Sequence, residues 1–323
     1  GRALADLAPA EVGDVMNATD DAHNDRRCDN DALALLQENP SLPTIAVQRD
    51  GQIDALIMSY AYHGTILDAD TLTLSGDMGS VVQWKVAERF DNPVNVLFFN
   101  SWGGDASPDS PDIDPPATGA AQPDDYDRME ALGEVIADAV LPELDSIVFT
   151  DEPEISMVST YVPINHDLLE YDSDEFEDCE NGCIYCAQGI DGNCDDDTPM
   201  NELGWEMDDM CIPFPEDDPA FDVTLFSAGR VGDLFFVTGN GEWLTSLADI
   251  VMTEVQPNDG VDDVMFVGYA QDTPGYSLPY ADWWPGGSET GGTLWGPQQG
   301  HYLPDRLGPA FNACYTPSYP PPT

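Results

Sequence analysis

The chain has 323 residues, 42% of them hydrophobic, and is long enough for one large domain or two ordinary ones. Its 62 Asp and Glu residues against 9 Lys and Arg residues give a formal net charge of −53. A surface this acidic repels nucleic acid and anionic membranes, attracts divalent cations and stays soluble in high salt. The charge indicates a marine, halophilic or calcium-rich extracellular setting, or else acidic loops on an ordinary core.

Two features bear on the cellular location of the chain. No stretch contains the ~20 consecutive apolar residues that a membrane-spanning helix needs. The sequence shows no signal peptide and starts at Gly1 without a methionine, so we expect a mature or processed piece of a longer precursor.

The N-terminal residues 1–43 are acidic and mostly polar, which predicts a surface meander with one helix near Asp31–Gln37. His23 follows an Asp-rich run within it. We expect His23 to be a solvated loop residue.

A hairpin leads to the first candidate site residue. Residues 44–49 and 53–62 are predicted strands on either side of Asp50-Gly51, a strong turn signal. His63 follows the second strand directly, where α/β proteins usually place reactive side chains. A helix is predicted over Met78–Phe90, and Asp77 beside it is either a helix-capping carboxylate or a site residue.

The next apolar run, Val94–Phe99, predicts a central strand that is buried on both faces. Gly103 and Gly104 allow a tight turn after it, and Ser107 follows before a proline. A serine there is either an ordinary turn residue or a nucleophile held at a strand end. An amphipathic helix with Met129, Leu132, Ile136 and Val140 on its apolar face comes next.

Five of the seven cysteines lie between residues 179 and 211, in an acidic insertion at about 167–220. A zinc knuckle at Cys183 and Cys186 lacks a second CxxC or a nearby histidine, so disulfides in an oxidising compartment are the favoured interpretation. Asp191, Asn193 and Asp195 form an oxygen-rich cluster that calcium accepts, although without EF-hand spacing. His166, just before the insertion, is interpreted as structural.

The last third of the chain repeats the pattern of strand and reactive turn. Residues 221–226 and 232–238 are predicted strands that pair through Gly229-Arg230. Glu242 then lies on a glycine-rich turn before a predicted helix over 244–255, and Tyr276 follows the apolar run 264–268. The tail, at about 280–323, is rich in Trp, Gly, Tyr and Pro and predicts an ordered coil.

Four strand ends therefore present an imidazole, a serine, a carboxylate and a phenol, which belong to His63, Ser107, Glu242 and Tyr276. Histidine, carboxylate and phenol make up most of a zinc shell with an open position. Zinc there polarises a carbonyl or lowers the pKa of bound water, and a serine beside it attacks or stabilises an oxyanion.

Four motifs in order, over about residues 44–300, resemble those of the neutral/alkaline, non-lysosomal ceramidase family. They are His63-Gly64-Thr65 with Leu74-Ser75-Gly76-Asp77, Asn100 through Gly104-Asp105-Ala106-Ser107-Pro108, Arg230-Val231-Gly232 with Gly241-Glu242-Trp243, and Phe266 through Tyr276 with Gly291–Pro297. The resemblance implies zinc ligands at His63, Glu242 and Tyr276 and a catalytic serine at Ser107. It also implies secretion and hydrolysis of the amide of N-acylated sphingoid bases.

The chain departs from that family in several places. None of its four histidines has the context of the family's upstream H-T-H-S-G-P zinc motif, so the resemblance implies an N-terminal chain of the same precursor as partner. A second site tyrosine aligns with Ser288, although Glu289 matches. Arg26 and Arg27 are candidates for the family's substrate-binding arginine. Asp77 and Asp105 are weaker candidates for contacts to substrate or transition state.

The resulting fold prediction is an α/β protein with mixed sheet layers and flanking helices, a single ceramidase-like catalytic domain over 1–323. Two functions follow. The first is a secreted zinc-dependent amide hydrolase whose site is completed by a cleaved N-terminal segment. The second is a catalytically inert, calcium-binding, acidic extracellular surface or assembly protein on the same scaffold.

Overall fold

A computed structural model describes residues 7–26, 39–67, 71–72, 74–109, 124–165, 168–169, 223–255, 264–283, 292–293 and 295–315, with residues 5 and 289. The predicted helix at 31–37, His166, Ser288 and the calcium candidates Asp191, Asn193 and Asp195 lie outside these residues, as does nearly all of the insertion at 167–220. No cysteine side chain is among those described, so the disulfide prediction stays a prediction.

The described elements follow one another in a regular chain order. The strands are β1 (Glu11–Ala18), β2 (His23–Asp25), β3 (Ser41–Arg49), β4 (Gln52–Tyr60), β5 (Asn95–Asn100), β6 (Ala106–Pro108), β7 (Ile155–Pro163), β8 (Val223–Val231), β9 (Leu234–Thr238), β10 (Glu242–Trp243), β11 (Val264–Val267) and β12 (Tyr276–Ser277). The helices are α1 (Asp77–Ala87), α2 (Asp125–Val140), α3 (Leu247–Val255), α4 (Tyr280–Trp283), α5 (Gln299–Tyr302) and α6 (Pro304–Tyr315), with 3-10 turns at Leu141–Ser146 and Gly296–Gln298.

Two four-stranded sheets form the framework, in the orders β1-β3-β4-β5 and β11-β9-β8-β7. Each sheet is mixed, with one parallel pair, β4 with β5 and β11 with β9, among antiparallel neighbours. Two short sheets, β10-β12 and β2-β6, complete the set.

Alternation along the strands separates the sheets into layers. In the first sheet, Ala46, Leu56 and Met58 pack against α1 and α2. The intervening Ile45 and Ile57 pack instead against Leu234 and Met265 of the second sheet. On the far side of the second sheet, the apolar side chains of β8, β9 and β11 pack against those of α3 and α6, and the set includes Phe226, Phe235, Phe266, Val251, Leu307 and Phe311. The order of layers is therefore helix, sheet, sheet, helix, which confirms the predicted α/β class with flanking helices.

Helix α2 shows how sequence directs a local element. Its capping box is complete, because the Asp124 side chain accepts from the Asp127 backbone and the Asp127 side chain accepts from the Asp124 backbone. The predicted apolar stripe, Met129 through Val140, is buried. The hairpin around Asp50-Gly51 is also confirmed, with both turn residues at positive φ, as a primed turn requires.

The prediction of an N-terminal meander was wrong. Residues 11–18 form β1, which pairs with β3 over eight residue positions, and His23 starts β2 with only 2% of its surface exposed. The polar composition hid these strands because Val12 and Met16 alone supply their contact with the second sheet.

Other corrections concern β5, the β8–β9 turn and the tail. Among the described residues β5 lies at the edge of its sheet, and Leu97 and Phe99 are 45% and 38% exposed rather than buried. The β8–β9 hairpin turns at Gly232-Asp233, where Gly232 has a positive φ, instead of at Gly229-Arg230. Of the two strands predicted between 146 and 163, one forms, β7. Residues 304–315 form α6 rather than coil, because Leu307 and Phe311 lie one turn apart and are buried in the core.

Within the described residues, no helix combines the length and apolar character that crossing a membrane demands.

Candidate active site

The first part of the site lies at the adjacent ends of β4 and β5, which run in parallel. Tyr60 and Asn100 are the last pair of that ladder. The Asn100 side chain then bonds the backbone of Tyr62 on both sides, accepting from its N–H at 3.2 Å and donating to its C=O at 2.6 Å. This bridge holds the residues that follow β4 against those that follow β5.

His63 is held at this point by two contacts. Its backbone N–H donates to the Ala106 carbonyl at 2.6 Å, and its ring Nδ1 lies 2.9 Å from the Gly103 carbonyl oxygen. Because a carbonyl can only accept a hydrogen bond, Nδ1 carries the proton. The neutral imidazole therefore presents the lone pair of Nε2 to the site, which is the orientation that a metal-binding histidine takes.

Glu242 and Tyr276 face each other as direct partners in the parallel pair β10–β12. Directly paired residues lie on the same face of a sheet, so both side chains point to one side. The turn before Glu242 requires glycine, because Gly241 has a φ of +68° and a Cβ there would lie 2.3 Å from the Gly275 carbonyl oxygen. The pairing register therefore places these two predicted ligands side by side.

The structure brings the three predicted zinc ligands together. His63 Nε2 lies 3.7 Å from Glu242 Oε2 and 3.5 Å from the Tyr276 hydroxyl. The His63 and Tyr276 rings are stacked, with planes 11° apart. All three side chains are largely shielded from solvent.

Arg26, a candidate from the sequence, also reaches this site. Its Nη2 donates to the Tyr276 hydroxyl at 3.2 Å and to the Gly104 carbonyl at 2.9 Å, and its Nε donates to Glu289 Oε1 at 2.8 Å. Although burial opposes the charge, Glu289 and Tyr276 raise the pKa of Arg26, so the guanidinium is a permanent cation here. Arg27, the other candidate, lies outside the described residues.

Two tyrosines stay neutral around the cluster. Burial and the nearby Glu242 carboxylate raise the pKa of Tyr276 to about 12, while Arg26 acts in the opposite direction. Burial and Glu242 also raise the pKa of Tyr269, whose hydroxyl donates to Glu242 Oε2 at 3.3 Å. At neutral pH both groups are therefore phenols that donate hydrogen bonds.

Ser107 lies in a short strand rather than in the turn predicted for it. It is the partner of Asn24 in the β2–β6 pair, and it is half-buried. The preceding residue, Ala106, bonds the backbone of His63. Ser107 is thus one residue from a direct contact with the His63 backbone.

Asp105 and Asp77 have structural partners. The buried Asp105 carboxylate accepts from the Thr245 backbone at 2.8 Å and the Thr245 hydroxyl at 2.9 Å, so it ties the β5–β6 loop to the segment before α3. Asp77 begins α1, and its carboxylate accepts from the backbones of Met78 and Leu67. These bonds give both carboxylates structural roles, and their roles toward a substrate stay predictions.

An aromatic cluster supports the site loops from below. Trp102 follows β5, Trp243 ends β10, and Phe266 belongs to β11; all three are buried. Trp102 stacks on Phe266 with centroids 3.6 Å apart, and Trp243 lies 5.5 Å from Phe266. Such rings fix loop positions through area and shape. Site loops from both sheets therefore rest on one common base.

The donor set fits a zinc ion. Ligands about 2.0–2.1 Å from tetrahedral zinc lie about 3.4 Å from one another, close to the two distances that join His63 to Glu242 and Tyr276. An unprotonated Nε2 facing a carboxylate is unfavourable unless a cation lies between them or the imidazole is protonated. Within the described ranges no three His, Cys, Asp or Glu side chains converge to hold a metal, so the third ligand from this chain is the Tyr276 phenol.

Sequence reasoning missed two contributors to the site. Tyr269 was treated only as a turn residue, although its positive φ of 56° turns it out of β11 toward Glu242. Asn100 was treated only as the end of a strand, although its side chain bridges both strand ends. An asparagine at the end of an apolar run was the one available signal for the second.

Comparison with known proteins shows which fold this is. The sequence matches no protein-family model and no curated protein. The structure is similar to the crystal structure of neutral ceramidase from Pseudomonas aeruginosa, with a TM-score of 0.66 and 15% identity, over 95% of this chain and 52% of that one. It is equally similar to a ceramidase complexed with C2, with a TM-score of 0.66 and 15% identity, over 99% of this chain and 57% of that one. The chain has a ceramidase-like fold and spans about half the length of these two structures.

Proposed function

We propose that the chain forms part of a secreted zinc-dependent amide hydrolase of ceramidase type. Its substrate would be the N-acyl linkage of a ceramide or of another N-acyl lipid or amide. The observation that supports this most directly is the convergence of His63 Nε2, Glu242 Oε2 and the Tyr276 hydroxyl within 3.5–3.7 Å of His63. The ceramidase-like fold supports the choice of reaction.

In this proposal His63, Glu242 and Tyr276 hold the zinc ion. Bound zinc supplies a Lewis acid that polarises the scissile carbonyl and lowers the pKa of bound water. The Gly103 carbonyl keeps the His63 proton on Nδ1, which leaves Nε2 free to bind. Arg26 donates to the Tyr276 hydroxyl and so favours the ionised phenol that metal binding requires.

The remaining residues act on the substrate. Ser107 is the proposed catalytic serine, on a strand whose previous residue bonds to His63. Arg26 is a cation at the same point and would bind the acyl oxygen or a headgroup oxygen. Its guanidinium is held on three sides, by Glu289, the Gly104 carbonyl and Tyr276, so little ordering is needed on binding.

The proposal includes a partner for the site. A structural zinc ion takes four protein ligands, and a catalytic one takes three and a water molecule. We assign a further ligand to an N-terminal chain of the same precursor, because the chain spans about half the length of the two ceramidase structures. That partner, secretion and zinc itself are the proposed parts of this function.

Metal binding by the purified chain tests the proposal. We expect about one zinc ion per chain at saturation, and an affinity at least about a hundredfold lower in His63→Ala, which removes a direct ligand. His301→Ala is the matched control, because His301 is exposed and packs on Tyr280 instead of the site. A folded chain that binds no zinc contradicts the proposal and favours the inert, calcium-binding alternative.

A second measurement separates metal binding from catalysis. With the N-terminal segment supplied, release of fatty acid from an N-acyl sphingosine is expected to fall at least about a hundredfold in Ser107→Ala, while the zinc content is unchanged. If Ser107→Ala keeps full activity, Ser107 is not the nucleophile or oxyanion donor.

A further inference from the structure

The loop between His63 and α1 exposes two leucines almost completely. Leu72 is 95% exposed and Leu74 is 104% exposed relative to an extended reference. Most exposed apolar residues of the described chain keep at least part of their surface covered, as Leu97 and Phe99 do. Two fully exposed leucines two positions apart form a local apolar tip that folding does not explain.

This tip is held in a defined place. The Asp77 carboxylate accepts from the Leu67 backbone at 3.0 Å, so it joins the two ends of the loop that carries both leucines. The same loop is fixed at the site, because the Thr65 backbone bonds the His63 carbonyl and the Gly79 backbone bonds the Tyr62 hydroxyl. The leucines therefore project from a closed loop whose base is the candidate active site.

The charge of the chain limits what the tip can contact. With a net charge of −53, and with Asp68 and Asp70 in the same loop, anionic surfaces repel it. A zwitterionic lipid surface carries no such penalty and gains from covering apolar side chains.

We propose that Leu72 and Leu74 anchor the protein on a zwitterionic lipid surface and so bring the candidate site to lipid held in that surface. The choice of lipid as the partner rests on the proposed function. Contact of this kind places the loop base, with His63, at the level of lipid headgroups. Two leucines give weak, reversible attachment, because each contributes only its own buried area.

Binding to phosphatidylcholine vesicles tests the inference without any need for hydrolysis. The wild-type chain is expected to co-sediment with these vesicles at ~0.5 M NaCl. The double variant Leu72→Ser, Leu74→Ser is expected to lower the partition coefficient about tenfold or more. Val148→Ser is the matched control, since Val148 is 86% exposed but belongs to the segment that contacts β1, and it is expected to bind as wild type.

Several outcomes overturn the inference. They are wild-type protein that does not bind phosphatidylcholine, equal binding by the double leucine variant, and an equal loss in Val148→Ser. Tighter binding to phosphatidylglycerol vesicles also overturns it, because that would show an electrostatic attachment. Failure of the zinc measurement leaves vesicle binding unaffected, so the two proposals fail separately.

Discussion

Arg26 and Glu289 form an ion pair that joins residues 263 positions apart, with Arg26 Nε 2.8 Å from Glu289 Oε1. The Glu289 side chain is only 4% exposed, and that of Arg26 is 24% exposed. Since Arg26 also bonds Tyr276, the pair fixes the one cation that the described residues place at the candidate site. Removal of Glu289 therefore affects both folding and the site.

We predict that Glu289→Ala lowers the free energy of unfolding by about 2–3 kcal/mol, because it leaves a half-buried guanidinium without its charge partner. Glu289→Gln keeps an oxygen acceptor and is expected to lose about 1 kcal/mol. Urea denaturation measures both. Glu154→Ala removes the partner of Arg230 at a site where the carboxylate is 51% exposed, and it is expected to lose less than about 1 kcal/mol. Equal losses in Glu289→Ala and Glu154→Ala would contradict the role given to the buried pair.

His23 predicts a pH dependence of stability. Burial lowers its pKa to about 4 from 6.5, although Asp20 opposes the shift. Nδ1 lies 2.6 Å from the Tyr60 hydroxyl, and none of the described residues bonds to Nε2. Between pH 6.5 and pH 4 the unfolded chain binds a proton that the folded chain does not, so stability falls as the pH falls. The full effect is about 3 kcal/mol, present above pH 6.5 and lost by about pH 4.

His23→Gln isolates this effect, because its amide can still donate to Tyr60 and does not titrate. Denaturation curves for wild type and variant between pH 7 and pH 4 are expected to show a difference in unfolding free energy that shrinks as the pH falls. Parallel curves at every pH would rule out a buried neutral His23. His301→Gln, at an exposed position, is expected to leave the pH dependence unchanged.

Salt is expected to stabilise the fold. A net charge of −53 repels itself in the folded state more than in the expanded unfolded chain, and the Debye length falls from about 10 Å at 0.1 M to about 3 Å at 1 M. The melting temperature should therefore rise by several degrees between ~0.1 M and ~1 M NaCl. A melting temperature that stays constant or falls would mean that the charges lie too far apart to repel.

Asn100 predicts how the site loops depend on one side chain. Asn100→Asp replaces the amide donor with an oxygen that lies against the Tyr62 carbonyl, now 2.6 Å from a donor. We expect a loss of about 1–3 kcal/mol in unfolding free energy and weaker zinc binding. Asn95→Asp is the control on the same strand, because Asn95 is exposed and bonds Asp54 only weakly, at 3.4 Å. Equal behaviour of the two variants would show that the bridge is dispensable.

Local sequence signals were enough for the elements whose partners are near in the chain. The Asp50-Gly51 turn, the apolar stripe of α2, and the position of His63 after a strand were all predicted from short-range patterns. Each depends on backbone preference or periodicity over a few residues. The ceramidase-like arrangement of sheets and helices followed from the order of these elements.

Tertiary structure alone decided which polar residues are inside. His23 is buried because β2 pairs with β6 from a distant part of the chain, and Arg26 then reaches the site three residues later. The parallel pairing of β10 with β12 sets Glu242 opposite Tyr276, and no local pattern encodes that register. Sequence by itself determined that strand ends carry a histidine, a carboxylate and a phenol. Only long-range pairing, which depends on the packing of both sheets, decided that these three groups meet.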